Sequence, residues 1–360
     1  EGKEPKDLNY SESAAFTAKN STVELGSATL NSAKFDAVNS KITIGDLHAE
    51  NSQMSVTGDL NVSGRMEFYG GTFSADALQV KADSQAIRFC DGAKAEIQTM
   101  TMDNGSGLGV GSYGKAADVT VHQLNMKNKS TVAIENGQLN SDQITMDNST
   151  IDLAGDQQKV NVTTDKLLGK GTIATNSLNN KLTANDATDA NITIKGSRDI
   201  ADQIARDSTG KVAQQLADVA VKEDGKSIAK SLKTEAGTIA GEYSAQVDEN
   251  GKVFNEVKSQ NQTNLSISKL GALSLMTWRQ ENNDMNKRLG EIRDSQGEQG
   301  IWARMSRGEA KYGAQGVKNQ YNYYQLGYDH KIADDWILGG AFTYTDGENN
   351  LVGGSGTNKS

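Results

Sequence analysis

The stretch that decides the fold runs from Met276 to Gly347: MTWRQENNDMNKRLGEIRDSQGEQGIWARMSRGEAKYGAQGVKNQYNYYQLGYDHKIADDWILGGAFTYTDG. A charged helical pattern passes directly into short segments in which apolar and polar residues alternate. A strand alternates in this way when one of its faces meets an apolar medium and the other meets water. Lipid and a water-filled lumen are these two media in a membrane β-barrel, so the stretch predicts antiparallel barrel strands.

Three strands are predicted in this region, at about 300–312, 319–331 and 335–347. The turn Ile332–Asp335 is short, as periplasmic turns are, and the glycine-rich segment from Glu348 onward is predicted to be an extracellular loop. The smallest known barrels have about eight strands, so three strands predict an unfinished outer-membrane barrel. In the third strand, alternate residues are predicted to face lipid, with the residues between them facing the lumen: Trp336, Leu338, Gly340, Phe342 and Tyr344.

Upstream of these strands, residues 264–294 carry apolar residues at helical spacing. About 31 residues would extend roughly 46 Å as a helix, which exceeds the roughly 30 Å core of a bilayer. Residues 281–294, ENNDMNKRLGEIRD, carry too many charges to face lipid. A helix inside a water-filled barrel satisfies both observations, and an ordinary surface helix is the alternative.

A short motif recurs through the first half of the chain: NSTVELG at Asn20, NSKITIG at Asn39, NSQMSVTG at Asn51, NKSTVAIENG at Asn128 and NSTIDLAG at Asn148. The intervals are 19, 12, 77 and 20 residues, and 77 is close to four intervals of 19. A period near 20 residues is typical of a β-helix, whose stacked coils build a core that one coil cannot. Asparagine at matching turns accepts left-handed backbone geometry. We therefore predict a right-handed parallel β-helix in a mainly β chain; a sandwich of short antiparallel strands is the alternative.

The periodicity changes at Ser197, a candidate helix N-cap, and apolar residues then follow at helical spacing. Predicted turns at 223–227 and 248–252 lie beside strand-like segments at 238–248 and 252–259. We predict that residues 196–263 cap the last edge of the β-helix; a functional helix bundle is the alternative.

Composition limits the chemistry. The net charge of −9 and the low aromatic content argue against a nucleic-acid partner. Cys90 is the sole cysteine, which excludes an intramolecular disulfide, and it is predicted to point inward from a coil. His48, His122 and His330 have no metal-ligand spacing, and Gly109–Gly114 is predicted to be a turn and not a phosphate loop. We predict no cofactor and no metal site.

Both ends of the sequence are polar. The residues from Glu1 onward show no signal peptide, and no segment approaches the roughly 20 apolar residues of a membrane helix. Gly356–Ser360 is predicted to be a loop. Both ends are therefore expected to be cuts within a longer chain.

The segments MNKRLGEIRDSQGEQGIWARM, YYQLGYDHKI and LGGAFTYTDG resemble the helix-to-barrel junction of type Va autotransporters, of the adhesin-like or serine-protease-like kind. The resemblance implies a passenger stem at 1–195, an autochaperone-like cap at 196–263, a linker through the pore at 264–295 and an incomplete barrel at 296–360. It implies a barrel in the cell outer membrane and a passenger at the cell surface or released. It also implies outer-membrane lipid, the barrel-assembly machinery and periplasmic chaperones as partners.

The resemblance also concerns self-cleavage. In the secreted serine protease branch, paired asparagines lie in a similar helical motif, and the first attacks its own backbone carbonyl to form a succinimide. Alignment on NKRLGEIRD assigns that role to Asn283, with Asp284 in place of the second asparagine. Two outcomes stay open: self-cleavage at Asn283–Asp284, and an uncleaved helix whose polar residues line the lumen.

Together these patterns predict a self-exporting surface protein that is not itself an enzyme. Its passenger is predicted to be adhesin-like and to bind a host-surface ligand or other copies of itself. One alternative is a passenger with a protease or esterase upstream of Glu1. Another is a freestanding β-helix enzyme acting on carbohydrate, which leaves the barrel strands unexplained.

Overall fold

The computed structural model describes residues 6–11, 14–80, 87–112, 114–155, 159–264, 266–267, 269, 271, 275, 278–279, 287–289, 291–292, 297–312, 316–351 and 354–359. The chain divides into two compact units, Glu1–Ser259 and Gln260–Ser360.

The first unit is a parallel β-solenoid. Its strands are β1 (Lys6–Ser11), β2 (Ala15–Lys19), β3 (Thr22–Asn31), β4 (Lys34–Glu50), β5 (Gln53–Val62), β6 (Met66–Tyr69), β7 (Thr72–Val80), β8 (Ile87–Cys90), β9 (Lys94–Met102), β10 (Gly107–Val110), β11 (Ala117–Lys127), β12 (Thr131–Ile134), β13 (Gly137–Leu153), β14 (Asn161–Thr175), β15 (Lys181–Asp186) and β16 (Ala190–Gly196). Long strands such as β4 turn two corners, so one strand contributes to more than one face.

Three faces follow from the strand register. The first face includes residues 34–37, 53–56 and 72–75; the second includes 41–44, 59–62 and 77–80; the third includes 46–50, 66–69 and 87–90. Pairing within each face is parallel, which confirms the β-helix and rules out the antiparallel sandwich for this unit.

Equivalent residues of successive coils stack in register to form the core. Val23 pairs with Ile42, Ile42 with Leu60, and Leu60 with Leu78. Ile42, Leu60 and Leu78 are fully buried, and each such side chain contributes about 1.5–3 kcal/mol through its removal from water. Cys90 is also fully buried, as predicted. The alternation of inward and outward residues therefore explains the strand pattern of the sequence.

The five asparagines that open the repeats adopt left-handed backbone conformations, as their turn chemistry predicts. Their φ angles lie between 47° and 51°: Asn20, Asn39, Asn51, Asn128 and Asn148. The prediction that they lie at matching turns is wrong. Asn20 and Asn39 separate the first face from the second, Asn51 separates the third from the first, and Asn128 and Asn148 separate the second from the third. The intervals of 19 and 20 residues are thus coil steps, whereas 12 and 77 join different corners.

Two helices interrupt the solenoid after β16: α1 (Arg198–Arg206) and α2 (Lys211–Ala217). Ser197 is the N-cap residue, as predicted, but its side chain makes no capping hydrogen bond. The solenoid then resumes, because β17 (Ala220–Val221) and β18 (Ala229–Thr234) pair in parallel with β15 and β16. The helices are therefore an insertion within one coil.

The parallel stack ends at β18. Its outer edge pairs antiparallel with β19 (Ala240–Val247), which in turn pairs with β20 (Val253–Gln260). These strands and the turns before them agree with the segments predicted at 238–248 and 252–259. The hairpin covers the edge that the last coil would otherwise expose.

Asp202 of α1 joins the helical insertion to this hairpin. Its carboxylate accepts hydrogen bonds from the backbone N–H groups of Thr238 at 3.0 Å, Ile239 at 2.9 Å and Ala240 at 3.1 Å, and from the Thr238 hydroxyl. Asp202 is buried, so this carboxylate depends on those donors.

The second unit begins with helical residues at 262–264, 266–267, 269, 271, 275, 278–279, 287–289 and 291–292. Four antiparallel strands follow: β21 (Gln299–Tyr312), β22 (Val317–Ala333), β23 (Trp336–Leu351) and β24 (Gly354–Lys359). Three of them match the predicted strands. The prediction of a loop from Glu348 onward, including Gly356–Ser360, is wrong for the described residues, because β23 continues to Leu351 and pairs with β24.

Candidate functional site: the helix–strand junction

The outward face of the antiparallel sheet carries a contiguous apolar band. Three rows of neighbouring residues cross β21, β22 and β23: Ile301, Tyr328 and Gly340; Ala303, Leu326 and Phe342; and Met305, Tyr324 and Tyr344. Ile301 is 79% exposed and Phe342 is 73% exposed. A patch of large apolar side chains in this state requires an apolar neighbour.

The extent of the band matches a bilayer. Trp336 and Tyr344, at its two ends on β23, are eight residues apart, or about 27 Å along a strand that rises roughly 3.3 Å per residue. Outward apolar bands of membrane barrels are about 25 Å tall and are bordered by aromatic residues. The Tyr324 and Tyr344 rings stack at one border with centroids 6.4 Å apart. The predicted lipid-facing side of the third strand is therefore the exposed apolar side.

The opposite face of the sheet is polar. The Gln325 amide donates to the Thr343 hydroxyl at 3.1 Å across β22 and β23. Farther along, the Asn319 and Asn349 amides both donate to Asn358 Oδ1, at 2.9 and 3.0 Å, so three strands share one asparagine ladder. Amides and hydroxyls suit the water-filled side of a barrel.

A guanidinium from the helical segment meets this polar face. Arg288 Nε lies 2.9 Å from Asp329 Oδ2 on β22, and Arg288 Nη2 contacts the same oxygen. Arg288 Nη1 lies 3.3 Å from Glu291, whose other oxygen accepts from Arg304 Nη2 on β21 at 2.6 Å. Two arginines and two carboxylates therefore alternate between the helix and two strands.

An aromatic ring completes this Arg288 cluster, which consists of Arg288, Glu291, Trp302, Arg304 and Asp329. The Arg288 guanidinium carbon lies 4.8 Å from the centroid of Trp302, a cation–π distance. The side chains of Arg288 and Asp329 are only 19% and 12% exposed, so water screens their attraction less than it screens a surface pair. The cluster can hold the helical segment in one orientation against the strands.

The predicted cleavage residues, Asn283 and Asp284, lie outside the described residues. Sequence reasoning did not find Arg288 or Asp329 as a pair, because they are 41 residues apart. One signal was available: Asp329 is a charged residue on the lumen-facing side of an alternating strand.

Two further observations bear on the class of site. Among the described residues, no helix combines the length and the apolar character that crossing a membrane requires. The described residues also contain no group of three His, Cys, Asp or Glu side chains placed to hold a metal ion.

Comparisons with known proteins agree with this geometry. Residues 301–360 match the family model described as the autotransporter β-domain. Over 83 residues, the chain is 40% identical to the serine protease EatA of Escherichia coli O78:H11 and 39% identical to the serine protease SepA autotransporter of Shigella flexneri. Each match covers 22% of this chain and 6% of the relative, so the chain matches only a small part of these proteins. No solved structure matches the chain.

The antiparallel sheet is thus the beginning of an outer-membrane β-domain, preceded by a β-solenoid. The chain is a type Va autotransporter junction, in which a passenger stem leads into the first strands of the translocator barrel. The barrel is located in the outer membrane, and the passenger is exposed at the cell surface or secreted.

Proposed function

We propose that this chain exports and displays its own passenger, and that residues 264–295 are the linker held inside the pore. The Arg288–Asp329 contact carries this proposal. It joins the helical segment to the polar face of the same sheet whose other face carries the apolar band. A linker on the lumen side of a barrel needs such an anchor, because its charges cannot contact lipid.

The anchor is tested in the full-length parent, expressed in a Gram-negative host. Asp329→Asn and Arg288→Gln each leave one charge of a largely buried pair uncompensated, which costs more than a lost surface pair. We expect several-fold less passenger to be accessible to protease added outside the cell, with the barrel still resistant to unfolding by detergent at room temperature.

Asp335→Asn is the matched control, since Asp335 lies exposed in the turn between β22 and β23 and forms no ion pair with the described part of the chain. Normal display by both Asp329→Asn and Arg288→Gln would refute the anchoring role.

The passenger is proposed to be adhesin-like. Support comes from the outward surfaces of the solenoid, which present rows of hydroxyl, amide and charged side chains on a rigid stack, as binding surfaces of repeat proteins do. Its proposed ligand is a host-surface molecule or another copy of the passenger. Outer-membrane lipid, the barrel-assembly machinery and periplasmic chaperones are the proposed partners during export.

Self-cleavage remains a separate proposal. Mass spectrometry of the released passenger should find a C terminus at Asn283 if the side-chain amide attacks its own carbonyl, and Asn283→Ala should then stay uncut. An intact chain in the outer membrane would instead indicate a tethered passenger.

A second candidate function is favoured by the names of the relatives, which are serine proteases. In this case the stem would support a protease encoded upstream of Glu1. Peptide hydrolysis by the displayed parent, abolished by a serine-directed inhibitor, would favour this function over the adhesin-like one.

A further inference from the structure

A polar cleft of about 850 Å³ lies where the last coils of the solenoid meet the helical insertion. One wall is the 176–181 turn, and the other is formed by Gln203 of α1, Gln215 of α2 and Asp218 after α2. Its volume falls within the roughly 300–1,000 Å³ of small-molecule sites.

Two lysines face this cleft, Lys159 and Lys181. Within the described part of the chain neither forms an ion pair; the Lys181 ammonium donates to the backbone carbonyl of Asp218. The Asp218 carboxylate instead accepts from Gln214 Nε2 at 3.0 Å. Burial lowers the pKa of Lys181, and the charge of Lys159 lowers it further against the opposing influence of Asp218. Two ammonium groups in one cleft, with a single carboxylate nearby, favour an anion between them.

The cleft is also rigid and rich in hydrogen-bonding groups. Asn180 is fully buried, and its amide donates to the carbonyls of Leu153 at 2.8 Å and Gly155 at 3.0 Å. These bonds hold the 176–181 turn against the previous coil. The side-chain amides of Gln203 and Gln215 make no hydrogen bond to the described residues, so they are available to a ligand. Such groups recognise hydroxyls.

We propose that this cleft binds an acidic saccharide, with Lys159 and Lys181 contacting its carboxylate or phosphate and the glutamine amides contacting its hydroxyls. The proposal rests on the proposed function in one respect, since the stem must leave the cell to meet such a ligand. The binding itself is measured in solution without export. Failure to bind would therefore leave the export proposal standing, and failure of export would leave the cleft intact.

The test uses the full chain in detergent solution and isothermal titration with trigalacturonate, a soluble carboxylate probe. A second arm uses vesicles that contain lipopolysaccharide, whose sugars carry phosphates. Neutral galactotriose and vesicles without lipopolysaccharide are the matched blanks. Binding in the first arm identifies a soluble acidic glycan, and binding in the second arm alone identifies a lipid-linked one.

Lys159→Gln and Lys181→Gln should each weaken binding about tenfold, since each removes a charge-assisted contact. Lys159→Gln is the safer variant, because Lys181 also contacts the end of α2. Lys170→Gln removes an exposed charge from the second face and should change the affinity less than about twofold. Absence of saturable binding in both arms, equal affinity for the blanks, or unchanged affinity in both cleft variants would overturn the proposal.

Discussion

The indole ring of Trp302 on β21 lies against Gly327, its pairing neighbour on β22, so closely that a Cβ at Gly327 would be 2.3 Å from Cε2 of the ring. The absent side chain lets Trp302 lie flat across the neighbouring strand. In this position the ring meets the Arg288 guanidinium. A glycine on one strand thus determines where the aromatic member of the Arg288 cluster sits.

We expect Gly327→Ala to displace Trp302, because both the ring and the strand backbone resist the overlap. Overpacking of this kind costs about 1–3 kcal/mol. The measurement is thermal unfolding of the assembled parent barrel in detergent, together with tryptophan fluorescence. Gly340→Ala is the control, since a Cβ there would meet no atom within 4 Å. Equal melting temperatures for the two variants would contradict the assigned role of Gly327.

Asp202 makes the stability of the cap depend on pH. The Thr238 hydroxyl, and then the backbone N–H groups of Ile239, Ala240 and Thr238, hold the pKa of Asp202 well below its usual value. The folded pKa lies below the unfolded one, so the stabilisation is present above about pH 4 and is lost as the pH falls through the folded pKa.

We expect Asp202→Asn to destabilise the cap by about 1–3 kcal/mol at neutral pH, since an amide nitrogen would face donors. Urea unfolding at pH 7 and at pH 3 checks this, and the difference between variant and parent should shrink at pH 3. Asp199→Asn, on the exposed side of the same helix, should behave like the parent. A penalty that does not change with pH would argue against a charge effect.

His122 joins three coils. Its Nδ1 lies 2.8 Å from Asp142 and its Nε2 lies 3.5 Å from Glu96, on the coils to either side. The hydrogen bond to Asp142 is the main influence that raises the pKa of His122, and Glu96 raises it further. A raised folded pKa means that the stabilisation is present below about pH 6.5 and is lost as the pH rises through the folded value.

We expect the His122 proton resonances to titrate above pH 6.5, and Asp142→Asn to lower that midpoint. The Asp142 and Glu96 side chains are about two-thirds exposed, so His122→Gln should cost less than about 1 kcal/mol at pH 6 and nothing measurable at pH 8. A midpoint that Asp142→Asn leaves unmoved would count against the ion pair.

The left-handed corners can be tested at Asn39, which is exposed and has a φ of 51°. Asn39→Val should destabilise the solenoid by about 1–3 kcal/mol, because a β-branched residue is strained in that conformation. Asn39→Gly should be tolerated, since glycine adopts positive φ freely. Lys41→Val, two residues later in β4, is the control for added apolar surface. Equal midpoints of denaturant unfolding for Asn39→Val and Asn39→Gly would contradict the backbone explanation.

The sequence predicts the β-solenoid and three barrel strands, because both depend on a period of two that local residues carry. The corner at which each asparagine lies does not follow from sequence, since the same residue satisfies a left-handed turn at any corner. The strand Gly354–Lys359 is missed for another reason. Its residues, GSGTNK, have no apolar alternation, and pairing with β23 makes them a strand.

The candidate site follows from sequence only in part. The lipid-facing and lumen-facing sides of β23 are predictable because they alternate. The contact between Arg288 and Asp329 depends on how the helical segment meets the sheet, which no local pattern carries. Asn283 and Asp284 lie outside the described residues, so their role stays a prediction.

The change from parallel to antiparallel pairing between β18 and β19 makes the two ends of the solenoid unequal. At one end the ladder is closed by a hairpin, so no further coil can be added there. Toward the other end, each coil offers a parallel edge on which the preceding segment of chain can pair. A stack closed at one end grows in one direction only, like a zip fastener with a fixed stop.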